Sequence, residues 1–235
     1  MKKIGILGGM SWPSTIEYYR IINQRINEAL GGNHSAQIIL YSVDFAAVEK
    51  MQKAGRWEEL GSMLALLAKR FLPEADVLVI ATNTMHKVAE QIEQVSGKKV
   101  LHIGDVTARA VKREQLTKVG LLGTRFTMQE NFYKDRLRNY EIEVAVPELT
   151  EINQVDGIIY DELVKGVISV EAKNKLENII RRLVEEKGCQ GIILGCTELP
   201  LLFDEDQEKC CGVPLFNTTN LHAAAAADYA LLQSV

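Results

Sequence analysis

Cys196 is the residue whose type and surroundings most favour chemistry in this chain. It lies in the segment Gly195-Cys196-Thr197-Glu198, directly after the apolar run 191–194. A free thiol ionises near pH ~8.5, and a position at the start of a helix lowers that pKa, so a cysteine there can act as a nucleophile or exchange a proton. A carboxylate at Glu198 opposes this ionisation if it points inward.

A second polar segment, Ala81-Thr82-Asn83-Thr84, stands at the matching place in the first half of the chain. Both segments belong to three pairs of runs that are separated by nearly the same offset, about 115 residues. The paired runs are 3–8 with 118–123, 77–80 with 191–194, and 100–103 with 213–216. Three pairs that share one offset indicate a duplicated α/β unit, so we predict two similar lobes.

The elements that must position these segments alternate between short β-rich runs and longer helical patterns. This alternation predicts an α/β fold with parallel-type sheets flanked by helices. The predicted strands are 3–7, 37–42, 76–80, 99–103, 118–122, 142–146, 190–194 and 213–216. Apolar residues at three- and four-residue spacing predict helices at 16–29, 57–71, 84–94, 174–187 and 219–232. Ligands of such sheets gather at the carboxyl ends of the strands, where both polar segments stand.

Composition narrows the range of partners. The chain has 235 residues, a formal net charge of −4 and 6% aromatic residues, so a nucleic-acid surface has no support. No stretch approaches the roughly 20 apolar residues of a membrane span, and glycines interrupt the first apolar run, which is typical of a buried strand and not of a signal peptide. Four cysteines without a CxxC spacing indicate a reducing compartment, so we expect a cytoplasmic protein with no metal site.

Loops after the strands favour a small anion as the ligand. Helix N-termini and exposed backbone amides attract carboxylates, and the segment Gly8-Gly9-Met10-Ser11 supplies one such loop. A dinucleotide is disfavoured because this loop does not have the GxGxxG pattern. For the Gly8-Gly9 turn, a tight connection and a ligand contact both stay open.

Three motifs, taken in order, resemble those of the aspartate/glutamate racemase family of cofactor-independent amino-acid racemases. They are Lys3-Ile4-Gly5-Ile6-Leu7-Gly8-Gly9-Met10, Thr82-Asn83-Thr84-Met85-His86 and Gly195-Cys196-Thr197-Glu198. The resemblance covers nearly the whole chain. It implies two pseudo-symmetric α/β lobes with the active site in the inter-lobe cleft, a homodimer, and no pyridoxal phosphate or other cofactor. It also implies two opposed acid/base residues, usually both cysteines, one of which removes the α-proton while the other protonates the opposite face.

The sequence departs from this pattern at the first of the two positions, where Thr82 replaces the cysteine. Together with Ser11-Trp12, 42–45 and 122–128, this threonine resembles a bacterial subgroup that carries a threonine/cysteine pair and favours the L-enantiomers of aspartate and glutamate. The resemblance therefore implies that Thr82 and Cys196 are the catalytic pair. A hydroxyl is a far weaker acid than a thiol, so we expect the two faces to be unequal.

The resemblance also implies the residues that bind substrate. They are Met10, Gln52, Asn83, Thr84, Thr124, Lys165 and Thr197. Asn83, Thr84 and Thr197 would hold the α-carboxylate, while Met10 and Gln52 match positions that line the pocket in similar proteins.

Five residues are candidates with open interpretations. Thr124, Arg125 and Thr127 follow the first strand of the second lobe and are candidates for contacting a second carboxylate. Lys165 aligns with a lysine that meets substrate carboxylate in some aspartate racemases, although a solvated helix lysine is the alternative. His86 either orients Thr82 or caps and packs its helix.

The domain boundaries and two other functions complete the predictions. We place the first lobe at 1–103 plus 216–235 and the second at 104–215, because the last helix returns to the first lobe in similar proteins. A related cysteine enzyme of the same fold, such as a hydantoin racemase, maleate isomerase or arylmalonate decarboxylase, is one alternative function. The other is a non-catalytic protein that binds dicarboxylates.

Overall fold

The apolar run at the start of the chain forms the central strand of a parallel sheet. In this computed structural model, which describes residues 1–203 and 209–232, β1 (Ile4–Gly8) lies between β2 (Ile38–Ser42) and β3 (Val77–Ile80). Every residue of β1 and β3 is buried, as expected for strands covered on both faces by helices. This sheet belongs to the first of two compact units, which comprises residues 1–102 and the segment from His222 onward.

Capping residues and charged end turns explain where the helices of the first unit begin and end. They are α1 (Trp12–Leu30), α2 (Phe45–Lys53), α3 (Trp57–Phe71) and α4 (Ala89–Ser96). The side chain of Ser11 caps α1, and Gly31 ends it with a φ of 72°. The bounds of α3 agree with the prediction because its apolar spacing is regular and its acidic first turn and basic last turn complement the helix dipole.

The second unit, residues 103–221, contains a larger sheet. Its strands are β4 (Lys118–Gly123), β5 (Glu143–Ala145), β6 (Ile192–Gly195), β7 (Lys209–Cys210) and β8 (Val213–Asn217). The strand order is β5-β4-β6-β8-β7, and only the β7–β8 pairing is antiparallel among the described strands. Its helices are α5 (Ile103–Arg113), α6 (Arg125–Gln129), α7 (Asn131–Arg138), α8 (Leu149–Gly157) and α9 (Val170–Glu185).

The two units share one strand order. In the first, β1 has β2 on one side and β3 on the other, and Val100 forms an isolated parallel bridge to Leu78 of β3. In the second, β4 has β5 on one side and β6 on the other, and β8 pairs with β6. These are the same pairs of runs that repeat in the sequence, so the predicted α/β class with parallel-type sheets is confirmed.

The predicted strand at 99–103 is wrong. Only two backbone hydrogen bonds join this run to Leu78, from Leu78 N to Lys99 O (2.8 Å) and from Leu101 N to Leu78 O (2.9 Å), and helix α5 begins at Ile103. A short apolar run does not by itself distinguish a strand from the entry to a buried helix. The predicted helix at 84–94 is also divided, because a 3₁₀ helix at Thr84–Val88 precedes α4.

The last helix, α10 (Thr218–Leu231), supplies alanines to the core of the first unit. Ala223, Ala226, Ala227 and Ala230 are fully buried there, so the small-residue tract is a packing surface. The first unit resumes at His222, six residues after the position expected from the sequence, and residues 233–235 of the predicted lobe lie outside the described residues. Within the described part of the chain, no helix is both long and apolar enough to cross a membrane.

Candidate active site

In the first unit, the polar segment Ala81-Thr82-Asn83-Thr84 lies at the carboxyl edge of the sheet. The N–H of Ala81 donates to Leu7 O (2.9 Å), which ties the end of β3 to β1. Thr82 is half-buried, whereas Asn83 and Thr84 are almost fully buried. The carboxyl ends of parallel strands meet at one edge, so the loops after β1, β2 and β3 belong to the same region of this unit.

The glycine turn after β1 is required by the protein's own backbone. Gly9 has a φ of 85°, and a Cβ atom there would lie 2.3 Å from Val43 O in the loop after β2. Its N–H donates to the Thr15 hydroxyl of α1 (2.9 Å). The close approach at this turn is therefore between loops of the same unit, which favours the tight-connection interpretation of Gly8-Gly9.

Two predicted pocket residues, Met10 and Gln52, are buried beside this edge. Met10 packs in the same apolar cluster as Met85, and the amide of Gln52 contacts the Met85 sulfur, with 3.0 Å between Nε2 and Sδ. This contact joins α2 to the 3₁₀ helix that follows Thr82. The structure thus brings Gln52 to the segment that carries Asn83 and Thr84.

In the second unit, Cys196 directly follows β6 at the carboxyl edge of the larger sheet. Gly195 in β6 is paired with Gly123 in β4, and a Cβ atom on Gly195 would lie 2.9 Å from Leu122 O. The glycine before the cysteine is therefore explained by the closeness of the neighbouring strand, and not by the ligand approach that a glycine can also permit. The Thr218 hydroxyl donates to Leu194 O (2.8 Å), which joins the end of β8 to β6.

Cys196, Thr197 and Glu198 form a hydrogen-bonded group. The Cys196 thiol donates to Glu198 Oε2 across 3.0 Å, and the Thr197 hydroxyl donates to the same oxygen across 2.8 Å. Cys196 and Glu198 are 8% and 7% exposed, so both groups lie in a low-dielectric environment where hydrogen bonds and charges act strongly. The two donors and one acceptor fix the direction of the thiol hydrogen.

This environment reverses the expected ionisation of the cysteine. Burial, followed by the charge of Glu198 and the hydrogen bond to it, raises the pKa of the Cys196 thiol well above its usual value. The sequence-based expectation of a pKa lowered by a following helix is wrong, because that helix is a short 3₁₀ turn at Leu199–Leu202 and the carboxylate points at the sulfur. The Cys196 thiol is therefore protonated at neutral pH, and the Glu198 side chain lies at hydrogen-bond distance from it as the candidate acceptor of its proton.

The other candidates in the second unit have different surroundings. Thr124, which directly follows β4, caps α6, and its hydroxyl lies 3.2 Å from the hydroxyl of Thr127 in α6. The backbone N–H of Arg125 donates to Asp156 (2.7 Å), and its side chain is exposed. Lys165 is exposed and its ammonium lies 3.6 Å from the Asp161 carboxylate. An exposed pair of this kind is weak, so the lysine remains able to turn toward another partner.

Two polar side chains of the second unit, those of Glu198 and Thr219, were not predicted from the sequence as candidate site residues. Glu198 was considered only as an opposing charge, although a carboxylate two residues from a candidate thiol is the available signal for a proton acceptor. Thr219 gave no signal, but its hydroxyl is buried and is without a hydrogen-bond partner among the residues that the structure describes. Thr219 is the second residue of α10, the helix that follows β8, and it belongs to the same unit as Cys196.

Comparisons with known proteins agree with this description. The family model for Asp/Glu/hydantoin racemase matches residues 7–226. A crystal structure from Yersinia pestis, whose assignment as an Asp/Glu racemase is itself provisional, is 48% identical, with a TM-score of 0.90 and coverage of 98% of this chain and 100% of that one. An aspartate racemase homologue from Pyrococcus horikoshii is 31% identical, with a TM-score of 0.83 and coverage of 98% and 99%.

Curated sequences give the same family with shorter matches. Glutamate racemase 3 from Caldanaerobacter subterraneus is 31% identical over 145 residues, which are 58% of this chain and 48% of that protein. The match thus spans about half the length of this relative. The family model, by contrast, covers most of the chain, and the chain therefore belongs to the Asp/Glu/hydantoin racemase family.

Proposed function

We propose that this protein is an amino-acid racemase that acts on aspartate or glutamate, favours the L-enantiomers and works without pyridoxal phosphate. The observation that carries the proposal is the buried Cys196 thiol, which donates to the Glu198 carboxylate at the carboxyl edge of a parallel sheet. Family membership supports an isomerase, and a thiol with an adjacent proton acceptor suits the removal of an α-proton.

In the proposed reaction Cys196 exchanges the α-proton of the L-substrate. Its S–H proton moves to Glu198, and the thiolate formed then accepts the α-proton, so that the thiol is regenerated and the substrate becomes a carbanion. In the opposite direction the thiol donates its proton to the carbanion and recovers it from Glu198. On the other face the Thr82 hydroxyl gives its proton to the carbanion and regains one from solvent water, while Glu198 releases its proton to the solvent. Because a hydroxyl is the weaker acid and base, this step is the slower one, and the inequality is the reason for an L preference.

The carbanion of an amino acid needs electrostatic help, because its carboxylate accepts little further charge. Asn83, Thr84 and Thr197 are the proposed donors to the α-carboxylate, and preorganised donors in a buried site contribute most to such stabilisation. Their burial in the structure supports this role for Asn83 and Thr84.

The remaining substrate contacts are also proposals. Thr124 and Lys165 would meet the second carboxylate, and Met10 and Gln52 would line the pocket. The homodimer and the cytoplasmic location remain predictions from the resemblance and from cysteine usage.

The test is α-proton exchange in deuterium oxide, followed by NMR separately for L-aspartate, D-aspartate, L-glutamate and D-glutamate. We expect exchange of at least one L-substrate in the wild type and its loss in Cys196→Ala. Cys211→Ser is the matched control because it changes an exposed cysteine in the same unit. Undiminished exchange in Cys196→Ala would refute the mechanism.

Two other results would change the assignment. Exchange that disappears after the protein is treated with hydroxylamine, which removes bound pyridoxal phosphate, would contradict cofactor independence. If none of the four amino acids exchanges, the substrate assignment is wrong, and hydantoins, maleate and arylmalonates are the next substrates to screen. Tight dicarboxylate binding without any turnover would instead indicate the binding protein.

A further inference from the structure

Three of the four histidines of the chain meet in the interior of the first unit. The ring of His86 lies 4.7 Å from that of His102 and 5.4 Å from that of His222, centre to centre. The ring of Tyr18 in α1 contacts His222 edge-on at 5.5 Å. All four side chains are buried, so this cluster, which we name the histidine cluster, is held by packing on every side.

Hydrogen bonds fix the proton positions on His222. Its Nε2 lies 2.6 Å from Leu101 O, which only accepts, so Nε2 carries the hydrogen. Its Nδ1 therefore accepts the hydrogen of the Tyr18 hydroxyl, across 2.8 Å. Burial, and then the neighbouring His86, lowers the pKa of His222 to about 3. His222 is consequently an uncharged support for His86 at neutral pH.

His86 connects this cluster to the proposed catalytic threonine. Its Nδ1 lies 2.9 Å from the backbone oxygen of Thr82, and a carbonyl only accepts, so the ring donates through Nδ1. The contact reaches the carbonyl and not the hydroxyl of Thr82. His86 therefore acts on the backbone at this position, and the Nδ1 proton is not available to exchange with the Thr82 side chain.

The direction of one peptide group follows from this bond. The Thr82–Asn83 peptide is planar, so its C=O and N–H point in opposite directions. When His86 holds the carbonyl oxygen toward the interior, the Asn83 N–H is turned away from the histidine cluster. The direction of the Asn83 N–H is thus set by the bond that His86 makes to the Thr82 carbonyl.

We propose that His86 is a positioning residue that sets the Thr82–Asn83 peptide for substrate binding, with the ring of His222 packed against it. The proposal rests on the proposed function, because the substrate carboxylate is the group that the oriented Thr82–Asn83 peptide would bind. It requires only that the buried His86 ring donates through Nδ1 to the Thr82 carbonyl.

The test compares two substitutions of His86. His86→Asn keeps an N–H donor close to the position of Nδ1, whereas His86→Leu removes the donor and keeps an apolar side chain of similar bulk. Misplacement of a binding group by about 1 Å can lower turnover by roughly 100-fold. We expect His86→Leu to raise KM and to lower kcat/KM for L-substrate exchange by about tenfold to 100-fold, and His86→Asn to recover most of this loss.

Tyr18→Phe is the matched control within the same cluster. It removes the hydrogen bond to His222 without touching the His86–Thr82 contact, so kcat/KM stays close to that of the wild type. Thermal unfolding of all variants separates misplacement from loss of folding. Equal losses in His86→Leu, His86→Asn and Tyr18→Phe would mean that the cluster is only a packing element, and would overturn the proposal.

A second measurement does not depend on turnover. Nitrogen-15 NMR of labelled histidine reports which ring nitrogen carries a hydrogen, and we expect His86 to carry one on Nδ1. We also expect the Asn83 amide signal to shift in His86→Leu and to return in His86→Asn. A His86 protonated only on Nε2 would overturn the proposal even if racemase activity is present. The absence of activity with a normal Nδ1–H signal would instead contradict the proposed function.

Discussion

Glu198→Gln tests the proton acceptor of the candidate site most directly. The substitution keeps the shape of the side chain and an oxygen that accepts from Thr197, but it removes the negative charge and the ability to take a proton from Cys196. A charge that is 3.0 Å from the sulfur is worth at most about 5 kcal/mol at an effective dielectric constant of about 20.

Two measured quantities move in opposite directions if Glu198 receives the thiol proton. Because the carboxylate raises the pKa of Cys196, its removal increases the thiolate fraction. About 1.4 kcal/mol of the lost repulsion corresponds to tenfold, so alkylation of Cys196 at pH ~8 rises by at least about tenfold. Exchange of the substrate α-proton falls by about 100-fold or more, which is the usual contribution of a general base.

The assay follows iodoacetamide labelling of Cys196 by mass spectrometry and α-proton exchange by NMR on the same samples. Cys211 is an exposed cysteine that serves as the internal reference for labelling. Glu185→Gln removes the same charge from an exposed position at the end of α9 and controls for the net charge. If labelling and exchange both rise in Glu198→Gln, the charge only opposes ionisation and the acceptor role is refuted. If neither changes, Glu198 is structural.

Two further predictions concern the first unit. We expect Thr82→Cys to raise α-proton exchange of the D-substrates, because a thiol is a far stronger acid than a hydroxyl, whereas Thr82→Ser, which keeps a hydroxyl, serves as the control. Unchanged D-substrate kinetics in Thr82→Cys, measured by NMR, would show that Thr82 is not the weak partner. The pKa of His222 is depressed to about 3, so its stabilising contribution is present above pH ~6.5 and is lost as the pH falls toward 3. At pH ~4.5 the loss of this contribution lowers the free energy of unfolding by about 2 to 3 kcal/mol. Urea titrations at pH ~7 and ~4.5 measure the change in unfolding free energy between the two pH values, and we expect this change to be clearly smaller in His222→Gln.

The central strands and the longest regular helices could be predicted from the sequence. Strands β1 and β3 are short apolar runs that directly follow the charged residues Lys3 and Asp76, and α3 has a regular apolar face, so local pattern and burial agree. The repeat predicted two similar units, and the structure adds that in each of them the first strand lies between the second and the third. These features depend on residues close in sequence or on an offset that is visible in it.

What could not be predicted depends on contacts between residues distant in sequence. The short helices α6 and α7 are one to two turns long, and such elements carry too little periodicity to be recognised. His86, His102 and His222 are scattered along the chain, and nothing in their spacing indicates that their rings meet. Nothing beside Gly195 in the sequence indicates that its constraint comes from the oxygen of Leu122 in the neighbouring strand.

The raised pKa of Cys196 is compatible with the proposed abstraction of the α-proton. The α-proton of an amino acid is very weakly acidic, so a thiolate with a high pKa is a better base toward it than an activated thiolate that ionises readily. Such a thiolate does not accumulate in the resting enzyme, and Glu198 at hydrogen-bond distance provides the place for its proton during the reaction. The same resting thiol is ready to act as the acid in the reverse direction. We therefore expect Cys196 to serve both directions on its face, while Thr82, which lies in the other unit, limits the reaction on the opposite face.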